Sequence, residues 1–259
     1  MKNPYKTNKV ESLKKTMLEL KKEIYQLKNE KKDVLDVLNS TLHEVRRFSA
    51  QLSKFSERLC RETEGLPINQ TATSIYFTAG MISSRLAYTD IELNPRAIEN
   101  QTTIRSGIFK KFDKARRILA EEARNNDVTI TLDGECFVEI EALPIFELLP
   151  FVLIENAIKY PPKNQNISVK FDHTKIGKVI VTISSIGPYI SKGEILNVFD
   201  KGFRGKSVEN MPGQGLGLFL AKQVCDFHDF RIKAESDQRT ICKINNIDYS
   251  NFKISLEYG

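Results

Sequence analysis

Gly213-Gln-Gly-Leu-Gly-Leu218 is the stretch of sequence that decides the fold of this chain. Its three alternating glycines carry no Cβ, so the backbone can approach a ligand closely. The residues that follow, from Leu216 to about His228, have the apolar spacing of a helix. The first N–H groups and the positive dipole end of such a helix point back at the glycines and favour an anion. The stretch therefore predicts a phosphate site, with a glycine-rich turn before a surface helix as the alternative.

A second stretch, Asn156-Ala-Ile-Lys-Tyr160, lies in a helix predicted over residues 148–160. Helical spacing puts Val152, Asn156 and Lys159 with Tyr160 on one face. That face offers a carbonyl oxygen suited to Mg²⁺, an ammonium group for phosphate and an aromatic edge. An ordinary amphipathic helix with a surface lysine has the same spacing, so this stretch alone does not separate the two interpretations.

The two stretches, with Phe199-Asp-Lys-Gly-Phe-Arg204 between them, resemble in order and spacing the N, F and G2 boxes of the GHKL ATPase superfamily. They look most like the catalytic domain of bacterial sensor histidine kinases. The resemblance covers roughly residues 104–259. It implies a GHKL (Bergerat) α/β sandwich that binds ATP and Mg²⁺.

The resemblance implies roles for individual residues. Asn156 matches the asparagine that holds Mg²⁺, Lys159 a basic residue near the phosphates, and Tyr160 the aromatic residue beside the nucleotide. The other matching positions are Lys201 and Arg204, where the mobile ATP lid begins, and Gly213, Gly215, Leu216 and Gly217, which close over the phosphates.

Two positions depart from the family pattern. The box on the adenine side normally reads D-x-G-x-G, but here it is Ser185-Ile-Gly-Pro-Tyr189, which keeps only Gly187. A hydroxyl at Ser185 is a neutral and weaker acceptor than the carboxylate that usually binds the adenine amino group. Val152 lies one turn before Asn156, where kinases often carry a second asparagine. Both departures predict weaker nucleotide binding.

His43-Glu44-Val45-Arg46 is a further motif, near the N-terminal end. In the heptad described below, His43 takes position f and points into solvent. An exposed neutral imidazole is a usable nucleophile, and Glu44 can orient it and take up its proton. A lone surface histidine usually has no function, but the motif resembles the H-box of histidine kinases, whose histidine receives the γ-phosphoryl group. The resemblance implies that His43 is the acceptor and that Glu44 assists it.

The segment before this motif predicts a coiled coil. Residues 1–33 carry ten lysines and five acidic residues, which accounts for most of the net charge of +6. Apolar residues recur in this segment in steps of three and four: Val10, Leu13, Met17, Leu20, Ile24 and Leu27. The lysines are therefore the solvated faces of a heptad seam. A basic surface for nucleic acid or an anionic membrane is the alternative, and we expect no nucleic-acid partner.

The same heptad continues to Leu59, without glycine or proline from Tyr5 to Glu64, until Gly65-Leu-Pro67 breaks the helix. A second apolar series then runs to Asn94-Pro95: Ile68, Ala72, Ile75, Ala79, Ile82, Leu86 and Leu93. Two antiparallel helices, doubled by a second copy, make a four-helix bundle. We therefore predict an α+β homodimer with a coiled coil at 1–37, a dimerisation and phosphotransfer hairpin at 38–95 and the ATP-binding domain at 96–259.

Within the last domain the pattern predicts a helix from Ile104 to about residue 125. The predicted strands are residues 128–132, 137–140, 167–171, 179–184, 231–234 and 252–256, with a turn at 173–177. His173 in that turn and His228 at a helix end look structural.

Length and composition bound the class of protein. A chain of 259 residues with 41% hydrophobic content can bury a sizeable core. It has no apolar run long enough to span a membrane, and its start lacks the apolar region of a signal peptide. The four cysteines are scattered without a C-x-x-C pair, which favours buried thiols in a reducing compartment over a zinc site. These features predict a cytoplasmic protein without a membrane span.

The sequence thus predicts a histidine kinase of a two-component system, which autophosphorylates on His43 and passes the phosphoryl group to an aspartate of a response-regulator receiver domain. The alternative is a catalytically weak GHKL-fold module that regulates or binds partners, favoured by Ser185 and Val152. An ATP-driven clamp like the gyrase or MutL members is less consistent, because they usually carry a catalytic glutamate at the position of Val152.

Overall fold

The computed structural model describes residues 4–173, 178–209, 211 and 213–259. Most of the predicted turn at 173–177 lies outside these residues, and His173 itself ends a strand. The chain forms two units, residues 1–51 and residues 52–259. Among the described residues, no helix combines the length and the apolar character needed to cross a bilayer.

Helix α1 (Pro4–Glu62) is one continuous helix of 59 residues, about 88 Å long at 1.5 Å per residue. It passes His43 without interruption, as expected from the absence of proline. It ends just before Gly65, whose φ of +79° few other residues adopt. Seam residues of its first half are uncovered, with exposed fractions from 52% for Leu20 to 61% for Leu13.

Helix α2 (Asn69–Leu93) follows a short turn. The Asn69 side chain amide donates to the carbonyl oxygen of Cys60 at 2.7 Å and to Thr63 Oγ1 at 3.1 Å, which ties the start of α2 to the end of α1. On α2, only part of the predicted apolar stripe is buried: Ala72, Ala79 and Leu86 are covered, whereas Ile75 and Ile82 are 38% and 37% exposed.

Near the end of α1, the residue that the single chain buries lies beside the predicted seam and not in it. Ser56 is buried, while Leu52 and Phe55 from the predicted seam are 39% and 70% exposed. Small hydroxyl side chains tolerate burial here because they bond to their own helix: Ser56 Oγ donates to the carbonyl oxygen of Leu52 at 2.7 Å. The large apolar seam positions therefore remain on the surface of the single chain.

The rest of the chain is built around two sheets. A two-stranded sheet pairs β1 (Ile104–Gly107) with β3 (Glu139–Ala142). The main sheet has the order β2-β4-β5-β8-β6, with β7 paired to β8. Its strands are β2 (Val128–Asp133), β4 (Gln165–His173), β5 (Val179–Pro188), β6 (Arg231–Ser236), β7 (Cys242–Ile244) and β8 (Ile247–Tyr258). β2 and β4 are parallel, and the other pairs are antiparallel.

Helices α3 (Ile108–Ile118), α5 (Leu148–Lys159) and α6 (Gly217–Asp226) share one hydrophobic core with the main sheet, and the short helix α4 (Ala120–Asn125) leads into β2. Alternate residues of β5, Val179, Val181 and Ile183, are buried, whereas those between them are half-buried. The helices thus cover one face of the sheet, because successive side chains of a strand point to opposite faces. This confirms the predicted α+β class, with a long N-terminal helix followed by an α/β sandwich.

Several element predictions need correction. Residues 104–107 form strand β1 rather than the first turn of a helix, because they pair with β3. The hairpin from β7 to β8 was not predicted; it turns at Asn245 and Asn246, with φ values of +48° and +65°. Asparagine tolerates this left-handed conformation, which suits a two-residue hairpin. The thiols also differ from expectation, since Cys136 and Cys225 are buried but Cys60 and Cys242 only half-buried.

Candidate functional site

A cavity of about 580 Å³ lies between α5, the end of β5, the loop around residues 198–208 and the start of α6. It brings together nine of the eleven predicted nucleotide-site residues: Asn156, Lys159, Tyr160, Ser185, Gly187, Arg204, Gly215, Leu216 and Gly217. Three stretches far apart in the sequence therefore meet at one pocket.

Helix α5 supplies one wall of the cavity. Its core face holds Leu153, Ile154 and Ile158, each at most 1% exposed, which sets the rotation of the helix. The opposite side then carries half-buried Asn156 and exposed Lys159 at the cavity. The Lys159 ammonium lies 5.2 Å from the centre of the Tyr160 ring, a cation–π distance. This wall places an amide oxygen and a positive charge within one turn of helix.

The glycine stretch supplies the facing wall. Gly213 has φ +149°, and a Cβ there would lie 2.6 Å from Lys159 Nζ. Gly215 has φ +66°, and its Cβ would lie 2.4 Å from the carbonyl oxygen of Phe203. Gly217 then begins α6. Gly215 is required both by backbone conformation and by close packing against backbone, Gly213 by backbone conformation, and the stretch places the N-terminal end of a ten-residue helix at the cavity.

Lys201 does not line the cavity. Its ammonium lies 3.3 Å from Glu92 Oε1 near the end of α2 and 5.5 Å from the centre of the Phe219 ring. The sequence predicts a role near the phosphates for Lys201, but in this structure its ammonium group is paired with the Glu92 carboxylate of α2. Gly213 also lies outside the set of lining residues, although it packs directly behind Lys159.

Arg204 lines the cavity but is already bonded. Its guanidinium group donates to the carbonyl oxygens of Val208 and Met211. At the other end of this loop, the Glu194 carboxylate accepts the N–H of Ser191 at 3.0 Å and that of Lys206 at 2.9 Å. The Ser191 hydroxyl and these two N–H groups lower the pKa of Glu194. The hydrogen bonds of Arg204 and Glu194 thus hold the loop in its position beside the cavity.

The end of β5 supplies the third wall. Ser185 and Gly187 are still paired with β8, opposite Phe252 and Ser250. Pairing with β4 stops at Ser184, so the strand is open on one side where it reaches the cavity. A Cβ on Gly187 would meet only the Phe252 Cβ, at 3.8 Å. The packing around Gly187 therefore does not require glycine at this position.

Two carboxylates at the cavity were missed by the sequence analysis. Glu155 and Glu122 both line it. Desolvation in the pocket wall, followed by the negative charge of Glu122, raises the pKa of Glu155, and Lys159 opposes this shift. Glu155 is adjacent to Asn156 in the second motif, which is a signal that could have identified it. Glu122 is distant in sequence, and only the packing of α4 against the sheet brings it here.

His43 and Glu44 lie on α1 in the unit of residues 1–51, and both side chains are exposed. Seam residues of the same helix, such as Val45 and Phe48, are also exposed, so the heptad position of His43 stays a prediction. The third histidine, His228, is buried: Leu143 N–H donates to its Nε2 at 3.0 Å, and its Nδ1 donates to the carbonyl oxygen of Val224 at 2.7 Å. Burial lowers the pKa of His228, so it is a neutral structural residue, as predicted.

Residues 147–249 match the family described as "Histidine kinase-, DNA gyrase B-, and HSP90-like ATPase". A curated relative, the adaptive-response sensory kinase SasA of Synechococcus sp. (strain JA-3-3Ab), is 36% identical over 86 residues, 33% of this chain and 23% of that protein. The sensor protein KdpD of Escherichia coli (strain K12) is 32% identical over 91 residues, 35% of this chain and 10% of that protein. The matched segments therefore span about a quarter or less of these relatives.

Among solved structures, full-length ShkA in complex with AMPPNP superposes with a TM-score of 0.50 at 12% sequence identity. The alignment covers 85% of this chain and 45% of that protein, and at this identity it supports the fold alone. The sequence matches, the fold and the clustered motifs agree: over residues 147–249 this chain is similar to the ATPase domain of the histidine kinase, DNA gyrase B and HSP90-like family, and over that segment it is similar to sensor histidine kinases.

Proposed function

We propose that the protein is a histidine kinase that uses ATP to phosphorylate His43 and passes the phosphoryl group to an aspartate of a receiver domain. The observation that carries this proposal is the convergence of Asn156, Lys159 and the glycine stretch on one cavity. The AMPPNP bound to ShkA, a protein of similar fold, is consistent with ATP as the ligand.

The cavity fits a Mg²⁺-bound triphosphate. The Asn156 oxygen and the carboxylates of Glu155 and Glu122 line it, and Mg²⁺ in nucleotide sites is held by a few such oxygens together with the phosphates. Gly215 and Gly217 line the cavity beside Lys159, and a Cβ on Gly215 would overlap the backbone of Phe203 and Gly202. Mg²⁺ would neutralise charge on the phosphate oxygens. Lys159 and the N-terminal end of α6 provide further positive potential, which is most of what phosphoryl transfer requires from a protein.

His43 supplies the nucleophile in this proposal. One nitrogen of the neutral imidazole bonds to the γ-phosphorus as the bond between that phosphorus and the oxygen of ADP breaks. The ring proton then passes to Glu44, whose carboxylate is the adjacent acceptor. Both side chains are exposed, so they are accessible to a nucleotide-loaded domain and afterwards to a receiver. General-base assistance of this kind contributes about 10²–10⁴-fold.

The test is incubation with γ-labelled ATP and Mg²⁺, followed by acid treatment. We expect an acid-labile label, as phosphohistidine gives, and no label in His43→Gln while nucleotide binding persists. His173→Gln is the matched control, since it removes a histidine outside the motif and should label normally. Equal labelling of wild type and His43→Gln would overturn the assignment of His43.

A catalytically weak regulatory module is the second candidate. It is favoured by Val152 at the α5 wall, by Ser185, and by the pairing of Lys201 with Glu92 away from the cavity. The same experiment separates the candidates, because such a module would bind Mg²⁺-ATP but leave His43 unlabelled. Its partners would still be bound through the helical hairpin.

We further propose that the protein works as a cytoplasmic homodimer. The uncovered seam of α1 and the exposed Ile75 and Ile82 of α2 are apolar surfaces that a second copy would cover. An aspartate-bearing receiver domain is the expected acceptor, since phosphohistidine readily donates to a carboxylate.

A further inference from the structure

We propose that the site binds ATP and GTP with little discrimination, because a single hydroxyl, that of Ser185, reads the nucleobase. This inference deepens the proposed function and rests on it, since it assumes that the cavity is a nucleotide site. It concerns the end of the cavity formed by β5.

The β5 end of the cavity suits a flat heterocycle. The lining there is largely apolar, with Ile186, Pro188, Ile190, Val198 and Phe252. The cationic Lys159 and the glycine stretch belong to the walls of α5 and α6 instead. A nucleoside triphosphate would therefore place its phosphates at the glycines and its base against the end of β5.

Three hydroxyl side chains line this end, and two are engaged. The Tyr189 hydroxyl donates to Gln238 Oε1 at 2.8 Å, and Ser207 Oγ donates to the carbonyl oxygen of Tyr189 at 3.0 Å. Ser185 is half-buried at the cavity, and its hydroxyl has no hydrogen-bond partner within the part of the chain that the structure describes. Ser185 is therefore the side chain available to contact the base.

A hydroxyl can donate or accept a hydrogen bond, because its proton rotates. At position 6, adenine presents an amino group that donates, whereas guanine presents a carbonyl oxygen that accepts. Ser185 can satisfy either one. A carboxylate in the same place could only accept, so it would bind the adenine amino group and repel the guanine oxygen.

The backbone at this end is the competing source of selectivity. Beyond Ser184, β5 has no partner on the β4 side, which leaves backbone groups of the strand open to the cavity. Unlike a hydroxyl, an N–H or C=O group has a fixed polarity. If these groups read the base, the wild-type protein will favour one purine whatever residue occupies position 185.

The experiment measures competition by Mg²⁺-ATP and Mg²⁺-GTP against a fluorescent nucleotide analogue, without reference to phosphorylation. We expect the two affinities of the wild type to agree within roughly threefold. Ser185→Asp should raise the ATP-to-GTP affinity ratio by roughly tenfold or more, the range of a charge-assisted hydrogen bond. The ratio is the measure, because the added negative charge also lowers the affinity for both polyphosphates.

Ser184→Asp is the matched control. It introduces the same charge one residue away, but successive side chains of a strand point to opposite faces, so the ratio should not change. A wild type that prefers ATP by tenfold or more, or an ATP-to-GTP affinity ratio that is unaltered in Ser185→Asp, would overturn this inference but leave the proposed nucleotide site standing. If neither nucleotide competes with the analogue, the proposed nucleotide site fails as well.

Discussion

Gly215 and Gly217 are two residues apart in the motif, but the structure makes different demands on them. Gly215 has φ +66° and lies against the backbone of Gly202 and Phe203, and the N–H of Gly202 donates to its carbonyl oxygen at 3.1 Å. A Cβ on Gly217 would meet no backbone atom and one side chain, that of Val152, at 3.3 Å, a tight contact but not an overlap. Gly215 thus joins the glycine stretch to the loop that carries Lys201 and Arg204.

We therefore expect Gly215→Ala to destabilise the protein by about 1–3 kcal/mol, because alanine is strained at positive φ and its Cβ would overlap a backbone carbonyl. Nucleotide binding should be lost even at temperatures where the domain remains folded. The measurements are thermal unfolding and nucleotide titration. Gly217→Ala is the control and should change stability by less than about 1 kcal/mol; equal effects of the two variants would contradict the packing argument.

At the scale of elements, the position of α5 depends on an ion-pair cluster. Glu147, just before α5, accepts hydrogen bonds from Lys111 Nζ and Lys114 Nζ of α3, both at 2.7 Å. The three side chains are only 16–21% exposed. Burial by itself would raise the pKa of Glu147, but the two lysines lower it below its ordinary value of 4.5. This cluster fixes the start of the helix that carries Asn156 and Lys159.

Glu147→Gln should lower the free energy of unfolding by about 2–3 kcal/mol, because it leaves two poorly solvated ammonium groups without a counter-charge. Asp113→Asn is the matched control. Asp113 also pairs with two cations, Arg116 and Arg117, but these are 36% and 62% exposed. Loss of the Asp113 charge should lower the free energy of unfolding by no more than about 1 kcal/mol, because solvent-exposed ion pairs contribute little. Denaturant unfolding of the two variants measures the difference.

The pH dependence gives a further check on Glu147. Its folded-state pKa is lowered, so its contribution is fully present above pH 4.5 and is lost as the pH falls through the folded-state value. The stability difference between wild type and Glu147→Gln should therefore narrow in acid. If the stability difference between wild type and Glu147→Gln stays constant down to low pH, the variant has a packing defect and not the loss of a charge.

At the scale of the whole molecule, helix α1 presents exposed apolar side chains among its described residues. Leu20 and Leu18 of α1 are 52% and 57% exposed, yet only Leu20 belongs to the heptad seam. In proteins most of a helix's stability comes from the packing of an apolar face, so an exposed seam on a helix of this length calls for a partner surface. A second copy in a coiled coil would cover Leu20 and leave Leu18 in solvent.

Leu20→Asp should therefore weaken dimerisation by at least about tenfold, since it places a charge in a desolvated seam. Leu18→Asp makes the same change two residues away and should leave the dimer intact. Sedimentation velocity over a concentration series measures both. If neither variant changes the association state of a dimeric wild type, the seam is not the interface.

Another whole-molecule contact links α2 to the nucleotide domain. The Tyr88 hydroxyl donates to Gln223 Oε1 of α6, and Glu92 pairs with Lys201. Burial, with the charge of Glu92 adding to it, raises the pKa of Tyr88 to about 12, so its proton stays available for this bond. The end of α2 is therefore attached both to helix α6, which follows the glycine stretch, and to the loop that carries Lys201.

The sequence alone was sufficient for the local features of this protein. The helix of Asn156 and Lys159, the glycine stretch, the α+β class and the long unbroken α1 all follow from the properties of residues close together in the chain: apolar period, absence of Cβ, absence of proline.

Features that depend on partners far away in sequence were decided by the tertiary structure. Residues 104–107 are a strand because they pair with β3, not because of their own pattern. Lys201 faces Glu92 rather than the cavity, and Arg204 is bonded to two loop carbonyls, because a long cationic side chain goes to the acceptor that folding brings nearest. Glu122 reaches the cavity for the same reason. Local sequence determines which element forms, whereas long-range packing determines what each side chain contacts.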